Sequence, residues 1–218
     1  MTTSEGVIPA LPGGDRPSPK FSNPTLENFY SRRSVRSYKP DPVPDEVLLE
    51  IIKAGTFAPM AMNQQLWRFA VVTGKADIDR YANRAKRLWQ QNIGLKVAAA
   101  TGLGGPGIAR YAKMMKAPGL HLFHHAPALV FIYAPKSRLI REDCACAAEN
   151  MMLAATSLGL GSCWIGLAAP LGTDRIIREE LKIPKGYMLM ATLVFGYPTA
   201  EGRKAPVRNP DVLLSWTV

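Results

Sequence analysis

Asp143 to Gly166 reads DCACAAENMMLAATSLGLGSCWIG, and the rest of the chain is organised around it. From Cys144 to Leu158 it contains no Gly or Pro and is rich in Ala, Met and Leu, all strong helix formers. Asp143 suits an N-cap. Few side chains in the run are strongly polar, and a helix that is apolar nearly all round is buried. Gly159, Gly161 and Gly166 then bracket a turn where the backbone can approach a flat ligand closely. Two readings stay open on this stretch alone: a core helix with a glycine C-cap, or a helix that ends in a ligand site.

The 218 residues fit one domain, 23–218, preceded by an arm or tail. That arm, residues 1–22, holds four prolines and three glycines and has no periodicity. No apolar run reaches the length of a membrane span, and the N-terminus lacks the charged start and apolar core of a secretory signal. Three cysteines, an odd number, fit free thiols in a reducing compartment. The expected setting is cytoplasmic, with no membrane partner.

The net charge is +10, and its distribution is uneven. Between Arg80 and Arg141 there is no Asp or Glu, while eleven of the 27 lysines and arginines fall there. The remaining 16 basic residues nearly cancel the 17 acidic ones. A basic segment of this kind draws anionic ligands, such as a phosphorylated dinucleotide. Nucleic acid is disfavoured as a partner, because no nucleic-acid motif accompanies the charge.

Taken in order, Asn23-Pro24 opens a helix, and Ser31 to Tyr38 packs three arginines among three serines. Arginine forks beside serines suit a phosphate. A second helix starts at Pro44-Asp45-Glu46 and is expected to stop at Gly55. The loop 54–67 is apolar yet carries Asn63 and Gln65, whose amides can read the edge of a heterocycle. Strands are expected at Arg68–Thr73, Ala128–Tyr133 and Met188–Phe195. Residues 75–120 read as a variable, basic, helical or lid region. Within it Gly102 to Gly107 matches G-x-G-x-x-G by letter. No good strand precedes it, Pro106 interrupts it and no acid follows until Glu142, so it reads as a lid loop rather than a dinucleotide fingerprint. His121, His124 and His125 with Cys144 and Cys146 lack zinc-finger spacing, and no metal site is expected.

Four motifs stand in fixed order. They are Arg32-Arg33-Ser34-Val35-Arg36, then Ala58-Pro59 with Asn63-x-Gln65-x-Trp67, then the Ala-rich helix into Gly-Leu-Gly-Ser-Cys-Trp-Ile-Gly, and last Gly196-Tyr197-Pro198 followed by Arg203-Lys204. Together they resemble the nitroreductase family of FMN-dependent NAD(P)H oxidoreductases, over residues 24 to 210. The resemblance implies an α+β nitroreductase-like fold, with a mostly antiparallel sheet flanked by helices and an intertwined homodimer with FMN at its interface. It implies that Arg32, Arg33, Ser34 and Arg36 hold the phosphate and ribityl end, with Arg36 within reach of the pyrimidine edge. Arg203 and Lys204 would close on the phosphate, Asn63 and Gln65 would bond the ring and ribityl chain, and Trp164, Ile165 and Gly166 would back the ring. The implied activity is two-step hydride transfer from NAD(P)H to a small acceptor such as a nitroaromatic or quinone, with no side-chain acid or base required. The basic segment favours NADPH. The motifs at the flavin do not separate this activity from a dehalogenase, a flavin-fragmenting enzyme or a dehydrogenase of the same fold, and a non-enzymatic basic binding protein is the remaining alternative. Two departures from the family stand out: Met60 where Ser is common, and Leu66 where Pro is common.

Overall fold

The computed structural model describes residues 23–91, 113–115, 117–199 and 205–217. The N-terminal arm, the lid-loop motif at 102–107, Arg203 and Lys204 lie outside them. The helices are α1 (Pro24–Ser31), α2 (Asp45–Thr56), α3 (Lys75–Gln90), α4 (Ile140–Ser157) and α5 (Arg175–Glu180). The strands are β1 (Arg68–Val72), β2 (Ala128–Pro135), β3 (Gly161–Trp164) and β4 (Tyr187–Gly196). They form one antiparallel sheet in the order β1-β2-β4-β3, the α+β arrangement expected.

β2 is a continuous apolar run because helices cover both of its faces. Leu129, Phe131 and Tyr133 point to the side packed by α3 and α5. Val130, Ile132 and Ala134 point to the side packed by α2 and α4. All six are fully buried, and each large apolar side chain contributes about 1.5–3 kcal/mol. This three-layer packing buries the centre of the sheet on both faces.

Three sequence expectations shift. Gly55 does not stop α2 but lies inside it, buried. A Cβ there would sit 2.7 Å from Met151 Cγ, so the glycine lets α2 lie close on α4. Asp143 is not the N-cap of α4, which begins three residues earlier at Ile140. It stands in the first turn, where a carboxylate favours the helix dipole, and its Oδ1 accepts from the Ala61 amide at 3.2 Å. The glycine-rich stretch after α4 is a turn only at Gly159, with φ 77°. From Gly161 to Trp164 it is the edge strand β3.

Candidate functional site

An extended strap, residues 33–39, covers the edge of the sheet. The Val35 amide donates to the Ser162 carbonyl at 2.9 Å, and the Lys39 amide donates to the Tyr197 carbonyl at 2.8 Å. A Cβ on Gly161 would lie 2.7 Å from Val35 Cβ, so glycine is what permits the approach. The arginine cluster and the Gly-Ser-Cys-Trp strand, far apart in sequence, are thereby held side by side.

Within the cluster the arginines differ. Arg32 pairs with Glu149 of α4 at 3.0 Å. Arg33 donates from Nη1 to the Tyr30 carbonyl at 2.6 Å and the Arg32 carbonyl at 2.7 Å. Among the described residues its buried Nε has no hydrogen-bond partner, and neither has the buried Ser162 hydroxyl beside the strap. Ser34 and Arg36 are exposed. Among the described residues nothing engages the Arg36 guanidinium, which stands on the wall of a cavity.

That cavity, about 350 Å³, is walled by Arg36, Trp89, Leu122, His124, Trp164 and Ile165, among others. Its volume lies in the range of small-molecule sites, and its apolar walls with one free cation suit a planar, electron-rich ring. A second hollow of about 160 Å³ shares Trp164, Ile165 and Gly166 and adds Arg141 and Thr192. The elbow is thus a partition between two hollows. It is held from the sheet by the Ile165 amide, which donates to the Thr192 carbonyl at 2.8 Å, while Trp164 stays 38% exposed.

Asn63 and Gln65 do not line either hollow. They lie exposed on the loop after α2, with Gln65 Nε2 donating to Asn63 Oδ1 at 3.0 Å. Met62, Asn63 and Gln65 all have positive φ, at 55°, 51° and 48°, which is uncommon for residues other than glycine. Such a backbone persists where the surroundings impose it, and it aims both amides outward.

Two of the three histidines, His121 and His125, come together with Asp79 rather than with cysteine. His121 Nδ1 accepts from the His125 amide at 3.1 Å, so Nε2 carries the proton that it donates to Asp79 at 2.9 Å. Both ring nitrogens are used, and a metal would have to break one of these bonds. Burial pushes the His121 pKa down, helped by His125 and opposed by Asp79. Part of the basic segment is also neutralised. Arg80 is bound to Glu180 at 2.8 Å and Asp77 at 2.7 Å, and Arg84 to the buried Asp174 at 2.7 Å.

Trp89, Leu122, His124 and Ser162 were not expected at the site. Trp89 follows the 3.6-residue period of α3, and in sequence that period says "core" and nothing more.

The strap sets an arginine-rich segment beside a ring-sized apolar cavity, with Arg36 on its wall. A profile of the nitroreductase family matches residues 30–197. The chain belongs to the nitroreductase family, and with it to the NAD(P)H-dependent flavin oxidoreductases. It is 28% identical over 176 residues to an Archaeoglobus fulgidus protein provisionally named NADH dehydrogenase/NAD(P)H nitroreductase, covering 81% of this chain and 86% of that one. A Bacteroides fragilis nitroreductase solved with bound FMN matches with a TM-score of 0.73 and 28% identity, over 90% of this chain and 100% of that one. An iodotyrosine deiodinase bound to FMN and 3-iodo-L-tyrosine shares the fold, with a TM-score of 0.66 at 23% identity, over 89% of this chain and 99% of that one.

FMN fits the residues present. Among the described residues the buried Arg33 Nε has no partner and nothing engages the Arg36 guanidinium on the cavity wall, so both can serve an anionic ligand. Among the described residues no helix is long and apolar enough to cross a membrane.

Proposed function

We propose that the chain binds FMN against the Trp164–Gly166 elbow and reduces small nitroaromatic or quinone acceptors at the expense of NAD(P)H. The observation that carries this reading is the convergence of Arg36 and the elbow on one ring-sized cavity, with the Val35–Ser162 bond holding the two together. When bound, the flavin supplies the hydride chemistry; the protein orients it and sets its electrostatics.

Arg32, Arg33 and Ser34 hold the phosphate and ribityl end, with Arg203 and Lys204 closing on the phosphate. Arg36, on the cavity wall, would stabilise negative charge on a ring bound there. Trp164, Ile165 and Gly166 back the ring, and Asn63 and Gln65 donate to the ring and ribityl chain. Because those two amides face outward from their own chain's cavity, a second copy is the natural source of the ring they meet.

A homodimer accounts for the apolar surface of the single chain. Leu49, Phe57 and Met62 are 65%, 78% and 90% exposed, and Leu214 and Trp216 of the extended C-terminal segment are 96% and 67% exposed. Apolar exposure on this scale marks an interface. The free Cys144, Cys146 and Cys163 support a reducing, cytoplasmic setting.

One hollow admitting donor and acceptor in turn gives parallel lines in double-reciprocal plots of rate against NAD(P)H at several acceptor concentrations. Intersecting lines would contradict the two-step cycle. The basic segment favours NADPH, and equal kcat/KM for NADH and NADPH at low salt would count against that preference.

A further inference from the structure

The Trp89 indole N–H donates to the Leu167 carbonyl at 2.8 Å, across 78 residues of chain. Leu167 is the second residue of the 3-10 stretch Gly166–Thr173. In a 3-10 turn each carbonyl accepts from the N–H three residues on. For Leu167 that residue is Pro170, which has no N–H to give. The acceptor therefore lacks its local donor just where the chain leaves Ile165 and Gly166. An unpaired backbone carbonyl in a partly buried place is costly, and the indole satisfies it from α3.

Trp89 is suited to this task. It is 3% exposed near the end of α3, and its ring also walls the cavity shared by Arg36, Trp164 and Gly166. The opposite side of the elbow is tied to β4 through Ile165 and Thr192. The elbow peptides are thus set by two anchors, one from the sheet and one from α3.

We propose that Trp89 is a positioning residue of the flavin site: its N–H fixes the Leu167 peptide, and with it the orientation of Ile165 and Gly166 toward the ring. This assignment rests on the flavin reading above. It makes Pro170 and Trp89 a matched pair, one removing a donor and the other replacing it.

The test compares the wild-type chain with Trp89→Phe, Leu88→Ala and the double variant Trp89→Phe/Pro170→Ala. The first change keeps an aromatic ring and removes the donor; adding Pro170→Ala restores a local N–H. FMN affinity is read from quenching of flavin fluorescence, and the midpoint potential of the bound flavin by redox titration. Trp89→Phe is expected to weaken FMN binding about ten-fold, the worth of one well-made hydrogen bond, and to shift the potential. The double variant recovers most of both. Leu88→Ala, a buried residue one position earlier, lowers Tm and leaves affinity and potential in place. If Trp89→Phe does not fold alone, the double variant is expected to fold. Wild-type affinity and potential in Trp89→Phe, or no recovery on adding Pro170→Ala, would overturn the assignment. A wild-type chain that binds no FMN would instead overturn the flavin reading and take the assignment down with it.

Discussion

The Val35 amide and the Ser162 carbonyl meet at 2.9 Å, and this bond carries the arginine cluster onto the strand that leads to Trp164. The approach depends on Gly161, whose missing Cβ would overlap Val35. Gly161→Ala is therefore expected to push the strap off β3. Overpacking of this kind costs about 1–3 kcal/mol. The variant should show a lower Tm and weaker FMN binding, and Val35→Gly in the same chain, which removes the Cβ that would be struck, should restore part of both. Wild-type Tm in Gly161→Ala would mean that the strap is not held as described.

Asp174 is buried and serves two donors, the Arg84 Nε at 2.7 Å and the Ile177 amide at 3.2 Å as N-cap of α5. Arg84→Met strands the carboxylate, and breaking a buried pair in this way costs about 3 kcal/mol. Urea unfolding should show that loss, and Arg84→Met/Asp174→Asn should recover part of it, because Asn keeps the cap and removes the charge. A loss no greater than that of a surface substitution would place the pair among weak exposed ones.

Tyr133 is fully buried at the centre of β2, and among the described residues its hydroxyl has no hydrogen-bond partner. Burial pushes its pKa well above the ordinary phenol value. Tyr133→Phe removes an unsatisfied group and keeps the ring, so stability should hold or rise by about 1 kcal/mol. A clear fall in Tm would reveal a hydrogen bond to the hydroxyl.

The His121 pKa lies below its ordinary 6.5 in the folded chain, chiefly through burial. The unfolded chain then takes up this proton at higher pH than the folded one. The contribution to stability is complete above about pH 6.5 and declines as pH falls from there through the folded value. Asp79, lowered chiefly by its bond to Lys75, adds a second loss further down, below its ordinary 3.8. Tm should drop between pH 7 and 5, and His121→Asn should flatten that drop. An unchanged slope in the variant would remove His121 from the account.

Much of this was legible in sequence where a local rule decides. Alternation-free apolar runs marked β2 and β4 as buried strands. Asn23-Pro24 signalled the start of α1, and the Asn23 side chain caps it by accepting from the Leu26 amide. The glycines after α4 marked the end of the helix but not the strand β3 that follows them, and Trp164, Ile165 and Gly166 stood out only through the family resemblance. What was not legible depends on partners distant in the chain. Gly55 and Gly161 both look like breakers, yet each serves a close contact, with Met151 and Val35 respectively. Trp89 is indistinguishable from any core tryptophan until Leu167 and Pro170 lie against it. The charge of Arg80 and Arg84 reads as free in sequence, because the acids that bind them include Asp174 and Glu180, far downstream.

The account stands most directly on one measurement: the visible spectrum of the purified chain, supplied with FMN, before and after anaerobic addition of NAD(P)H. It predicts a yellow protein carrying about one FMN per chain, whose flavin absorbance bleaches on reduction and returns on adding a nitroaromatic or quinone. A colourless protein that takes up no FMN, or a bound flavin that NAD(P)H leaves oxidised, would contradict it.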